Sequence, residues 1–143
     1  MRVKGNHDFG TAHLLQKLLA QAVVSGTYAS HLGVIQTRYA RKAEVMGKAM
    51  EQHFPPEAHW QKPSGGLYYW AQLPQRIPTG PRSRLFKKAI AREVFYVPGS
   101  LCYANDPSRP RPDGEMRLSF GNAKERDIRE GISRLGAVLR ELS

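Results

Sequence analysis

Hydrophobic and polar positions along this chain fall into two rhythms, and the places where one rhythm gives way to the other mark out its elements. After a polar opening, Met1 to Gly10, Thr11 precedes a segment in which Leu14, Leu15, Leu18, Leu19, Ala22 and Val23 recur on one stripe. That is the spacing of an amphipathic helix, with Thr11 placed to cap it and Ser25-Gly26 to end it. A longer helix is predicted from Tyr28 to Phe54. Leu32, Ile35, Tyr39, Met46 and Met50 keep the helical period, Arg38, Arg41, Lys42 and Lys48 lie largely elsewhere on the surface, and Pro55-Pro56 stops it. Gly33 and Gly47 lower its intrinsic helix propensity.

The character then changes. Trp60 to Pro63 reads as the end of a strand, Ser64-Gly65-Gly66 as a turn, and the aromatic-rich Leu67 to Leu73 as a buried strand. Pro74 to Pro81 is a loop with three prolines. Arg82 to Arg92 is expected to be a short helix with Leu85, Phe86, Ala89 and Ile90 inward. Val94 to Val97 is expected to be a strand ending at Pro98-Gly99-Ser100. Ala104 to Gly114, rich in proline and carrying Asp106, Arg109, Arg111 and Asp113, is predicted to be a long loop. From Glu115 to Phe120 the period becomes two: Met116, Leu118 and Phe120 alternate with Glu115, Arg117 and Ser119, the pattern of a half-buried strand. Asn122-Ala123-Lys124-Glu125 has the spacing of a capping box. The last helix, Lys124 to Leu142, follows on Ile128, Ile132, Leu135, Leu139 and Leu142. Two helices followed by strands alternating with helices predict an α/β or α+β sandwich, a small sheet covered by helices.

Composition narrows the class. The chain has 143 residues, enough for one domain with a real core, and its hydrophobic share of 41% is that of a globular protein. No apolar run approaches the roughly 18 residues of a membrane span, and the polar N-terminus carries no secretory pattern, so no membrane partner is expected and a cytoplasmic location is. The single cysteine, Cys102, leaves no internal disulfide and no cysteine-built metal site. A net charge of +10 raises the question of nucleic acid. The basic residues are scattered, however, with no basic run interleaved with aromatics and no zinc-finger spacing, so nucleic-acid binding is not expected.

Candidate chemistry is sparse. His7, His13, His53 and His59 lack acidic or cysteine partners at metal-ligand spacing, so no metal is expected. Ser64-Gly65-Gly66 lacks the pattern of a nucleophile elbow, and Cys102 has no paired base. Arg117 remains. An arginine fixed on a strand just before a turn presents a braced planar fork, which suits a carboxylate held in two parallel hydrogen bonds. Read from this stretch alone, the same residue is more simply a surface arginine on an edge strand.

Four segments together resemble the C-terminal part of class I/II aminotransferases, the pyridoxal-phosphate enzymes of fold type I. They are Pro63-Ser-Gly-Gly66-Leu-Tyr-Tyr-Trp70, Val94-Phe-Tyr-Val-Pro98-Gly99, Met116-Arg117-Leu-Ser-Phe120, and the helix Glu125 to Leu139 with its Ile-Arg-Glu-Gly-Ile sequence. They stand in the family's order and spacing, after two helices that include Tyr39-Ala-Arg41-Lys42. The resemblance covers Lys4 to Leu142 and is greatest to the branch with aminoadipate, kynurenine and valine-pyruvate aminotransferases.

The resemblance implies a small C-terminal domain with a mainly antiparallel sheet over residues 1–143. Within it, 1–27 would be a remnant of the large cofactor domain and 28–54 the linking helix. It implies that Arg117 binds the α-carboxylate of an amino-acid substrate. The complete protein would move an amino group between an α-amino acid and a 2-oxo acid, with pyridoxal 5'-phosphate as cofactor and as a homodimer. The family's Schiff-base lysine lies in a segment upstream of those matched, so no catalytic residue is assigned in this chain, its cofactor-binding residues stay open, and the chain alone is expected to be inactive. The loop with Asn6 and His7 matches one that runs close to the family's active site; a plain N-terminal loop explains it as well. The alternative is an aminotransferase-like effector-binding domain of a bacterial transcription regulator.

Overall fold

A computed structural model describes residues 12–74 and 76–143. Their elements in chain order are α1 (His13–Val24), α2 (Thr27–His53), β1 (His59–Trp60), β2 (Tyr68–Gln72), α3 (Arg84–Ala91), β3 (Val97–Pro98), a 3-10 turn at Gly99–Leu101, β4 (Glu115–Ser119) and α4 (Glu125–Arg140). The four strands form one antiparallel sheet in the order β1-β2-β4-β3. Among the described residues no single helix is long and apolar enough to cross a membrane.

The chain divides into two compact units, 1–38 and 39–143, with the boundary inside α2. In the first unit α1 buries no residue: Leu14, Leu15, Leu18 and Leu19, the core of the predicted stripe, are all exposed. The residue that caps α1 is Ala12, which supplies no side-chain bond, and Thr11 lies outside the described residues.

The second unit holds the core. The inner face of the sheet brings Tyr69 and Ala71 from β2 beside Met116 and Leu118 from β4. Over it lie Val45, Met46, Ala49 and Met50 of α2 and Ile128, Ile132, Leu135, Val138 and Leu139 of α4. Met46, Met50, Ile128, Ile132, Leu135 and Leu139 belong to the predicted stripes, whereas Leu32 is exposed and Ile35, Tyr39 and Leu142 are only half-buried. The Tyr69 hydroxyl reaches across this core and donates to the Ala43 carbonyl at 3.0 Å. Gly136 sits where α4 crosses the end of α2. A Cβ there would collide with the His53 carbonyl, so only hydrogen lets the two helices meet.

Four sequence expectations are corrected. The segment 94–97 pairs only at Val97–Pro98: the Val94 amide still closes the end of α3 on the Ala89 carbonyl, and the Tyr96 side chain is buried. Ile90 is exposed rather than inward, because Leu85 and Ala89 already fill the buried stripe of so short a helix. The capping box does not form, since the cap of α4 is Lys124 and Asn122 lies two residues before it. Finally, Leu67 to Leu73 is not buried throughout; Tyr68, Trp70 and Gln72 alternate outward from the buried Tyr69 and Ala71.

Candidate functional site

Arg117 lies in the middle of β4, which is an interior strand. It pairs with Trp70 of β2 on one side and Val97 of β3 on the other, which removes the edge-strand alternative. Because successive side chains of a strand point to opposite faces, Glu115, Arg117 and Ser119 share the outer face with Tyr68, Trp70 and Gln72. The apolar half of the alternation anchors both strands in the core; the polar half presents the site.

The Arg117 guanidinium carbon lies 4.4 Å from the centroid of the Tyr68 ring, a cation–π contact. Its Nε is buried and has no hydrogen-bond partner among the described residues. No carboxylate of the described residues pairs with it, although eleven ion pairs occupy other basic and acidic side chains. A half-buried cation left unpaired in such a setting is chemically incomplete, because buried charges are normally paired. It suits a planar anion that accepts from two nitrogens at once.

Around it, Trp70 meets Tyr103 edge-to-face with ring centroids 6.2 Å apart, and the Tyr103 hydroxyl donates to Glu115 Oε2 at 2.5 Å. That bond, with a smaller contribution from burial, pushes the Tyr103 hydroxyl pKa up. The long loop is thus fastened to the outer face at its start. Gly99 allows the 3-10 turn to lie against β4: a Cβ there would stand 2.7 Å from that of Glu115.

Sequence reasoning found Arg117 but missed Tyr68, Trp70, Tyr103 and Glu115. The first two carried a signal, since alternation on β2 turns them to the face opposite Tyr69. Tyr103 carried none, lying in a segment without periodicity. Asn6 and His7 lie outside the described residues. Among the described residues no cluster of histidine, cysteine or acidic side chains is arranged to hold a metal. None of the described lysines is buried.

No protein-family model matches the chain. It is 38% identical to an uncharacterized aminotransferase of Saccharolobus solfataricus, over 98% of this chain and 33% of that protein. Its fold superposes on kynurenine aminotransferase of Pyrococcus horikoshii, solved in complex with PMP, with a TM-score of 0.86 and 31% identity, covering 97% of this chain and 33% of that one. It also matches α-aminoadipate aminotransferase of Thermus thermophilus, complexed with N-(5'-phosphopyridoxyl)-L-leucine, with a TM-score of 0.81 and 29% identity over 99% and 34% of the two chains. An uncharacterized HTH-type transcriptional regulator of Bacillus subtilis is 28% identical over 99% of this chain and 27% of its own length. The chain thus spans about a third of the first of these relatives.

Proposed function

From the premise that this chain is the counterpart, in sequence and fold, of the C-terminal part of pyridoxal-phosphate-dependent aminotransferases, we propose that it supplies the substrate α-carboxylate site of such an enzyme through Arg117. The complete protein would transfer an amino group between an α-amino acid and a 2-oxo acid. The observation that carries this reading is a guanidinium on the outer face of an interior strand, braced by Tyr68, whose buried Nε has no partner among the described residues.

The division of labour follows from the residues present. A carboxylate accepting from two nitrogens of one planar fork is fixed in position and in rotation, so the atom it is bonded to is held in one orientation. Aromatic rings beside the fork lower the local dielectric and strengthen each charge-assisted hydrogen bond. Pyridoxal phosphate, when bound, supplies the electron sink that lets the substrate Cα lose its proton. The described residues fit the carboxylate and do not by themselves fit that cofactor: Lys42 donates to the Gly121 carbonyl, Lys48 and Lys88 are paired with Glu44 and Glu141, and the other described lysines are exposed. The Schiff-base lysine and phosphate ligands are therefore assigned outside the described residues. In the same reading residues 1–27 belong to the cofactor domain and 28–54 form the linking helix.

The match to the transcriptional regulator supports a second reading, an effector-binding domain that holds an amino acid through the same arginine without turnover. Incubating the complete protein with α-amino acids and 2-oxoglutarate, and measuring glutamate formed, separates the two. Amino transfer supports the enzyme; saturable amino-acid binding without transfer supports the regulator.

A further inference from the structure

We propose that Tyr68 is a positioning residue that turns Arg117 for end-on recognition: Nε faces into the sheet, and the two terminal nitrogens alone face the carboxylate. This rests on the reading of Arg117 as a carboxylate site.

A guanidinium offers a carboxylate two usable edges, one formed by the two Nη atoms and one by Nε with an Nη. Here Nε is shielded from solvent and meets no acceptor among the described residues, so the second edge is closed to an incoming anion. What holds this rotation is not an ion pair or a hydrogen bond, because the described residues supply neither to Arg117. It is the ring of Tyr68, whose face lies 4.4 Å from the guanidinium carbon. Tyr68 pairs with Ser119, one position along the same face from Arg117, so the ring reaches the guanidinium diagonally across the two strands. The corner is fixed by the Phe120 amide donating to the Leu67 carbonyl at 3.0 Å.

The contact belongs to the ring and not to its hydroxyl, which has no partner among the described residues. Tyr68 is 44% exposed, so replacing it does not open the core. Phenylalanine should keep the orientation and leucine should lose it.

The test is NMR of arginine side-chain nitrogens in the 15N-labelled 143-residue chain, with the Arg117 signals assigned from an Arg117→Lys spectrum. In the wild type and in Tyr68→Phe, the Arg117 Nε–H should exchange slowly with water. Saturation with acetate should shift the Nη signals and leave Nε in place. In Tyr68→Leu, Nε–H exchange should accelerate, and acetate should bind about 2- to 30-fold more weakly, the range that a cation–π contact supports. Unchanged exchange and affinity in Tyr68→Leu would overturn the positioning role. A large acetate-induced shift of Nε in the wild type would overturn end-on recognition. If acetate moves no Arg117 signal, the carboxylate reading itself falls and takes end-on recognition with it, while the exchange comparison still decides the role of Tyr68.

Discussion

Thr79 donates from Oγ1 to the backbone carbonyl of Glu115 at 2.6 Å, tying a proline-rich loop to the strand two residues before Arg117. Thr79 is fully buried, and its other polar groups are also engaged: its amide donates to Asp113 Oδ1 at 3.1 Å and its carbonyl accepts from the Tyr96 hydroxyl at 2.9 Å. Thr79→Val keeps the shape and deletes the donor. The expected loss is about 1–3 kcal/mol, because a buried carbonyl loses its side-chain partner. Urea unfolding should show a lower midpoint at an unchanged slope. A midpoint equal to that of the wild type would mean that the tie contributes nothing to holding β4.

Tyr96 and Tyr69 give the fold an alkaline limit. Burial raises both hydroxyl pKa values, with the Asp113 charge adding to the effect at Tyr96 and the Glu51 charge at Tyr69. The sign follows from linkage. The unfolded chain loses these protons near the ordinary tyrosine value of about 10, while the folded chain retains them to higher pH, so stability is full below about pH 10 and falls above it. Each group contributes up to about 1.4 kcal/mol of loss per pH unit in that window. Denaturant melts at pH 9 and pH 11 should show the fall, and Tyr96→Phe should flatten it. A Tyr96→Phe chain with the wild-type pH dependence would contradict this assignment.

The α2–α4 crossing supplies a steric test. Gly136→Ala places a methyl group against the His53 carbonyl, with α4 unable to move away without opening Leu135 and Leu139. The expected cost is about 1–3 kcal/mol, against the small gain that alanine would bring to an exposed helix. A thermal melt reads the sign directly. A more stable variant would show that the two helices separate freely.

Much of this fold is written in period. Met116, Leu118 and Phe120 announce β4, and Ile128, Ile132, Leu135 and Leu139 announce α4, because alternation and helical stripes follow from backbone geometry alone. The site is legible only in part. Arg117 stands out as a charge on a half-buried strand, but its surroundings come from separate segments: strand register brings Tyr68 and Trp70 to its face, and the Trp70 ring and the Glu115 carboxylate hold Tyr103 there. Nothing local to Tyr103 foretells that it will reach Glu115. The pairing of 94–97 is likewise misjudged, since burial of Tyr96 and the closing turn of α3 decide it rather than β-propensity. Local pattern names the elements; tertiary contact assembles the site.

The isolated chain should not form a defined adduct with pyridoxal phosphate. Its described lysines are exposed or engaged by nearby oxygens, as at Lys42, whose ammonium donates to the Gly121 carbonyl at 2.8 Å. Borohydride reduction followed by peptide mass mapping should give scattered, low-level modification. A single described lysine modified stoichiometrically would place the cofactor site among these residues and overturn its assignment outside them.

The central claim is that Arg117 binds the substrate carboxylate, and the most direct measurement is kcat/KM for the amino donor in the complete protein carrying Arg117→Ala. Losing one partner of a shielded, hydrogen-bonded charge pair costs about 2–5 kcal/mol. That is a fall of roughly 30- to 5000-fold. Arg117→Lys keeps the charge but not the planar fork, and should also fall substantially. Cofactor absorbance should be near normal in both, because the proposed role of Arg117 is toward the substrate carboxylate and not the cofactor. Near-wild-type kcat/KM in Arg117→Ala would contradict the account and leave Arg117 a structural residue of its strand.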